Sequence, residues 1–273
     1  MVHQPSPKEI DLNAVTTEEV SNFWNKNPLC ASAISSPLGS EEYFAEYNSL
    51  REKNESLEFS YELHEYQSFA GKKVLDVGSG NGYVLSKYAE EGAQVFGVDI
   101  TETGIELCKK RFQYTGLNGH FQVADAQKLP FDDNEFDCVC SMGVLHHVPD
   151  TNKAIAEIYR VLKPGGRLIV MFYYRGSAKL RWQFRIKSWK KKKSIQQLVN
   201  EVDGKGNPKG DVYSKSELKE LLEKFTELDM FVDSLDSQDI FLSLGKYIPN
   251  AVCKPLSGVL GWFLYAKGTK PNE

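Results

Sequence analysis

The residues best suited to chemistry stand between positions 76 and 174. Asp76 is followed by Gly78, Gly80 and Gly82, with Ser79 between the first two glycines. Glycine reaches backbone angles closed to other residues and lets a ligand come close to the main chain. The Gly-x-Gly-x-Gly spacing differs from the Gly-x-Gly-x-x-Gly of dinucleotide sites. A carboxylate two residues ahead of the turn would also repel a pyrophosphate resting on a helix N-terminus. It suits a ligand carrying an amino group and a positively charged sulfur. Asp99 lies 19 residues beyond Gly80, where an acid closing the next strand accepts ribose hydroxyls. Nicotinamide sites use the same acid, so Asp99 alone does not choose the ligand. A third acid, Asp125, sits in Ala124-Asp125-Ala126. His146 and His147 end the run Ser141-Met142-Gly143-Val144-Leu145. Imidazole titrates near neutrality, which makes both candidate general bases, His146 ahead of His147. The plainer roles for them are lining a pocket or capping a helix. Tyr173 and Tyr174 are candidate substrate contacts, with packing onto a sheet as the alternative. Two adjacent histidines without a third ligand make no metal site.

These residues need a frame that brings distant positions to one crevice. Lys73 to Val77 is a short apolar run that breaks into the glycine turn, and Tyr83 to Glu91 continues as a helix. Strands are expected at Gln94–Asp99, His120–Ala124, Phe136–Ser141 and Arg167–Tyr174, with further candidates at Glu227–Leu235 and Gly258–Ala266. Helices are expected at Glu102–Tyr114 and Asp150–Leu162, the latter stopped by Lys163-Pro164-Gly165-Gly166. Another runs from the capping box Ser214/Glu217 to Phe225. Strand–helix alternation is the pattern of a parallel α/β sheet. The fold expected is a Rossmann-like, seven-stranded, mostly parallel, doubly wound sheet with helices on both faces.

In the order Asp76 with its glycine turn, Asp99, Asp125 with Leu129-Pro130-Phe131, and Cys140 to His147 with Leu162 to Gly166, the text resembles the class I S-adenosylmethionine-dependent methyltransferases. Within that class it is similar to the branch that includes ubiquinone and menaquinone methyltransferases. The likeness is strong over 71–174 and thin elsewhere. It implies a methyl transfer from S-adenosylmethionine to a small molecule, with S-adenosylhomocysteine as product. It implies cofactor contacts from Asp76, Gly78, Ser79 and Gly80, from Asp99 and Ile100, from Asp125 and Ala126 at the adenine, and from Ser141 and Met142. His146, His147 and Tyr173 are then the candidate catalytic residues. A quinone or lipid acceptor at a membrane, and a protein that binds the cofactor without methylating, are the competing readings.

Around this core, residues 1–70 form an expected helical cap. It has a loose tail to about residue 15, a capping box Thr16/Glu19, a stop before Pro28, a helix after Ser40 and a weaker one from Leu57 to Phe69. Residues 175–213 read as a basic insertion or lid, 214–273 as the rest of the core, and 237–256 as a further insertion. Leu180, Trp182, Phe184 and Ile186 alternate like a strand, while Trp182, Ile186 and Trp189 share a helical face, so periodicity leaves 175–193 open. The segment Lys179–Lys193 has eight Lys and Arg and no acid. It could meet an anionic membrane, bind RNA, or be a solvated face. The formal net charge of −4 gives no general attraction to nucleic acid. Ser141-Met142-Gly143 also lacks the Asn/Asp-Pro-Pro-aromatic sequence of base-amine methylating enzymes. No protein partner is evident. Met1 to Asp11 lacks a basic-then-apolar leader and no apolar run is long enough to span a bilayer, so a cytoplasmic protein is expected, at most peripheral to a membrane. Five cysteines without a Cys-x-x-Cys pair agree with a reducing compartment.

Overall fold

The computed structural model describes residues 15–272; apart from its last residue, the expected N-terminal tail lies outside them. Side-chain caps start the first helices. Thr16 Oγ1 accepts from the amide of Glu19, and the Glu19 carboxylate accepts from the amide of Thr16, opening α1 (Thr17–Lys26), which ends at Asn27 before Pro28. Ser40 caps α2 (Glu41–Asn54) and Ser56 caps α3 (Leu57–His64). The expected helix to Phe69 breaks at Glu65, which adopts a left-handed conformation and turns the chain into a separate short 3₁₀ turn.

The alternation then runs β1 (Lys73–Val77), α4 (Tyr83–Glu90), β2 (Gln94–Asp99), α5 (Glu102–Thr115), β3 (His120–Val123), β4 (Phe136–Met142), α6 (Thr151–Val161) and β5 (Leu162–Tyr174). It continues through α7 (Phe184–Lys191), α8 (Ile195–Asn200), β6 (Val212–Tyr213), α9 (Lys215–Leu221), β7 (Thr226–Asp233), α10 (Ser237–Phe241), α11 (Ser257–Leu260) and β8 (Phe263–Thr269). The strands lie in the order β3-β2-β1-β4-β5-β8-β7, with β8 antiparallel to both neighbours and the two-residue β6 pairing with β5. Seven strands make the path, as expected, and β6 is a short eighth.

The two-residue period of the strands divides the core. Leu75, Val77, Val139, Leu168, Val170 and Phe172 pack with α6 and α9, while Val74, Cys138, Cys140, Ile169 and Met171 pack with α3, α4 and α5. Helices therefore cover both faces, and the thiols of Cys138 and Cys140 are buried and free.

Three further expected elements differ. The Lys163-Pro164-Gly165-Gly166 stretch lies within β5 rather than ahead of it: Leu162 pairs with Phe136, and the amide of Gly165 donates to the Lys270 carbonyl at 2.8 Å. The last strand begins at Phe263, not Gly258. Ser257–Leu260 closes a helical turn, and Gly261 passes so near the Asp233 carbonyl that a Cβ would sit 2.2 Å from that oxygen. The ambiguous stretch after Arg175 is helical, a π-helical turn at 179–183 leading into α7, because Phe184 packs inward with Trp262, Tyr173 and Leu198. Among the described residues no helix is long and apolar enough to cross a membrane.

Candidate active site

The parallel strands deliver their C-terminal residues to one edge, where an open α/β sheet meets ligands. A cavity of about 920 Å³ lies there, lined by Asp76, Asp99 and Asp125 together with the glycine turn, Met142 and His147. A second, shallower hollow of about 670 Å³ at the β3 edge, beside His120 and Phe121, has no converging acids.

Asp76, next to last in β1, is only 3% exposed, and its Oδ1 has no hydrogen-bond partner among the described residues. Burial pushes its carboxyl up to about 7, against a hydrogen bond with Cys140 that lowers it. The turn that follows is held by Gly78 and Ser79, whose amides donate to the Val98 carbonyl at 2.7 and 2.9 Å. Gly78 adopts φ +84°, and a Cβ there would lie 2.2 Å from Val144 Cγ2, so no side chain fits. The equivalent side of Gly80 is open. The Gly80 amide donates to Asp99 Oδ2 at 2.9 Å, while Asp99 Oδ1 accepts from both the amide and the hydroxyl of Thr101. Oδ2 thus keeps the spare acceptor capacity of Asp99. Burial raises the Asp99 pKa, and those hydrogen bonds pull against the rise. Asp125 Oδ1 accepts from the Gln127 amide at 2.9 Å, and Oδ2 accepts from Thr17 Oγ1 at 3.2 Å. Ser21 Oγ on α1 donates to the Ile100 carbonyl at 3.1 Å, so the first helix spans these strand ends. Ser79, Ile100, Ala126 and Met142 also line the cavity.

Two expected site residues are placed elsewhere. Ser141 is fully buried with its hydroxyl donating to the Val77 carbonyl at 2.7 Å, which ties β4 to β1 and keeps it out of the cavity lining. His146 is fully buried too: its ring lies 3.9 Å centroid to centroid from Tyr173 and 4.2 Å from His147, and neither ring nitrogen has a hydrogen-bond partner among the described residues. Burial, then the adjacent His147, lowers its pKa well below the usual imidazole range. A base must reach the proton it takes, and the His146 ring is packed away from the cavity.

His147 does line it, although its Nε2 is buried and has no hydrogen-bond partner among the described residues. Its Nδ1 hydrogen-bonds the Lys209 carbonyl, an acceptor only, which places the ring proton on Nδ1 and leaves Nε2 as the basic nitrogen. Nε2 stands 3.4 Å from Asp203 Oδ2, and Tyr173 Oη donates to both Asp203 oxygens at 2.7 and 2.8 Å. Trp24 of α1 meets the His147 ring edge-on at 5.2 Å. Burial lowers the His147 pKa and the Asp203 carboxylate opposes that fall. Tyr173 is raised well above the usual phenol range by burial, then by Asp203.

Residues 75–170 match the family model described as "Methyltransferase domain". Over that stretch, about a third of its length, the chain is similar to a methyltransferase domain. The ubiquinone/menaquinone biosynthesis C-methyltransferase UbiE of Pseudomonas putida is 40% identical over 116 residues, which are 41% of this chain and 45% of that protein. The protein of the same name from Desulfotalea psychrophila is 43% identical over 101 residues, 36% of this chain and 40% of its own length. The matched segment thus spans less than half of these curated relatives. Among solved structures, the Haemonchus contortus phosphoethanolamine N-methyltransferase 2 in complex with S-adenosyl-L-methionine superposes with a TM-score of 0.62 at 19% identity, covering 98% of this chain and 62% of that one. That likeness is one of fold.

The matched stretch 75–170 supplies the acids and the glycine turn, but segments outside it complete the cavity. Asp203 comes from the segment after β5, as does Lys209, which does not line the cavity but holds His147 through its carbonyl; Arg51 and Glu55 come from α2 and the residue after it. Arg51 Nη2 lies 2.6 Å from a Glu55 oxygen, while Arg51 Nε and Glu55 Oε1 are buried without partners among the described residues. Sequence reading missed all four. Arg51 and Glu55 look like an ordinary i,i+4 surface pair, and Asp203 precedes a glycine-proline loop with no period to mark it.

Proposed function

We propose that this chain is an S-adenosylmethionine-dependent methyltransferase that acts on a small-molecule acceptor and releases S-adenosylhomocysteine. The observation that carries the reading is the buried, unpartnered Oδ1 of Asp76 at a glycine turn too tight for a side chain, in one cavity with Asp99 and Asp125. A buried carboxylate whose Oδ1 has no partner calls for a cation. Arg51 is paired with Glu55 but keeps an unpartnered Nε beside the same cavity; Asp76 and Arg51 together fit the ammonium and carboxylate of an amino-acid tail. Gly78, Ser79 and Gly80 then border that tail. Asp99 Oδ2 with Ile100 takes the ribose, Asp125 with Ala126 the adenine, and Met142 borders the sulfur.

When bound, the cofactor supplies a sulfonium methyl whose neutral thioether leaves without a general acid. The chain's task is to place the acceptor, exclude water and take a proton from any acceptor that must lose one. His147 Nε2 takes that proton. Asp203 stabilises the resulting imidazolium, Tyr173 holds Asp203, and the Lys209 carbonyl fixes the ring. Segment 175–213 acts as the lid that brings Asp203 and Lys209 to the site. The relatives named C-methyltransferases suggest an activated carbon as the acceptor, which must shed a proton. A second reading, favoured by the basic stretch 179–193, places the same chemistry beside a membrane.

Calorimetric titration with S-adenosylmethionine, followed by transfer of labelled methyl to metabolite pools, tests the proposal. Binding with transfer to a small molecule is expected. Tight binding with no transfer to any pool would make the chain a binding protein, and no binding would refute both.

A further inference from the structure

We propose that the two inserted segments, 179–193 and 241–259, form one docking face for an anionic lipid bilayer beside the mouth of the cavity. This extends the membrane reading but does not depend on the methyl acceptor. The first segment has the form of an interfacial helix. Trp182, Ile186 and Trp189 share one helical stripe and are exposed, Trp189 by 81%. Phe184 on the opposite side is buried against Trp262. Arg181, Arg185, Lys190, Lys191 and Lys192 flank the stripe; all are exposed and make no ion pair among the described residues. The chain carries a net charge of −4, so an anionic surface repels it as a whole and attracts it at this segment.

The second segment adds apolar tips without comparable charge. Leu244, Tyr247 and Val259 are 66%, 75% and 62% exposed. Folded domains rarely leave so many large apolar side chains open along one stretch without a partner surface. The two segments are neighbours: α10 packs on the 179–183 turn, Lys179 Nζ lies 3.8 Å from Asp239, and Ala178 clusters with Leu235 and Cys253. The second also reaches the cavity. Exposed Ala251 and Lys254 line it, with exposed Val252 and Leu256 alongside them in the chain. Bases beside aromatic tips match headgroup phosphates above an acyl boundary. A bilayer is therefore the occupant that accounts for both segments, whereas an RNA would use the bases and leave the apolar tips of 244–259 unexplained.

Co-sedimentation of the full chain with phosphatidylcholine vesicles, with and without phosphatidylglycerol, tests this. Binding is expected only to the anionic vesicles, weakening as salt is raised. A variant carrying Lys190→Glu, Lys191→Glu and Lys192→Glu should bind them about a hundredfold more weakly. Trp189→Ala and the pair Leu244→Ser/Tyr247→Ser should each weaken binding at fixed salt. Trp emission should shift to the blue on binding, and the shift should shrink in Trp189→Phe. Unaltered far-UV circular dichroism and calorimetric cofactor binding in these variants would show that folding and the methyltransferase reading stand apart from the result. No binding to anionic vesicles at low salt would overturn the proposal. So would binding indifferent to the apolar variants, or a single-stranded RNA displacing the vesicles.

Discussion

The two ends of the cavity are built by opposite means. At the glycine turn, groups from three adjacent strand ends and the loops behind them are fixed by parallel register and by main-chain hydrogen bonds. At the His147 end, the ring sits on a short 3₁₀ turn, and its partners Asp203 and Lys209 arrive from the segment between β5 and β6, about 60 residues later. The first end can hold a constant ligand because little in it can change without disturbing the sheet. The second can change its chemistry by changing a loop, which is how one scaffold accommodates different acceptors.

If that contrast is right, damage to the glycine turn should abolish ligand binding, and damage at the other end should alter turnover alone. Gly78→Ala drives a methyl into Val144 and should weaken S-adenosylmethionine binding by roughly a hundredfold or more. Calorimetry measures this, with circular dichroism as the folding control; unchanged affinity would show that the turn is not the ligand site. His147→Gln should lower kcat by about a hundredfold while leaving cofactor affinity within about twofold, whereas His146→Phe should retain most activity. The reverse ranking in a labelled-methyl assay would return the base to His146. Asp99→Ala should raise the cofactor Kd by roughly 10- to 100-fold.

Two pH effects sharpen the comparison further. Asp76 has its carboxyl raised to about 7, and a bound cation favours the ionised form. Cofactor affinity should therefore be full above pH 7 and fall by about tenfold per unit below it, with a proton released on binding. Calorimetry in buffers of different ionisation enthalpy would detect that proton, and Asp76→Asn should remove the dependence. Asp203 holds the His147 pKa up against burial, so Asp203→Asn should move the acidic limb of the kcat profile to lower pH and reduce the plateau by about tenfold. A limb that stays in place would separate Asp203 from the base.

How much could be read beforehand follows the same division. Gly78 and Asp76 were legible because a close backbone approach demands glycine and because an acid closing a strand lies at a fixed offset from the turn. The strand–helix alternation over 71–174 was legible because each element satisfies its own period. The placement of Ser141 was not legible: its position beside the turn suits a ligand contact, yet its hydroxyl donates to the Val77 carbonyl. The placement of His146 was not legible because adjacent residues face different ways, and sequence does not say which ring is packed against Tyr173. The stretch from Leu180 to Trp189 met two periods at once, and only the packing of Phe184 on Trp262 settles it as helix. Arg51 was invisible because nothing local distinguishes an exposed ion pair from one turned into a cavity.

The hydroxyls of Thr17 and Ser21 hold α1 against Asp125 and the Ile100 carbonyl, on the rim where a nucleoside would rest. A guest that bonds to Asp125 Oδ2, as proposed, would share that acceptor with Thr17, so the seating of α1 and the seating of the guest are linked through one oxygen.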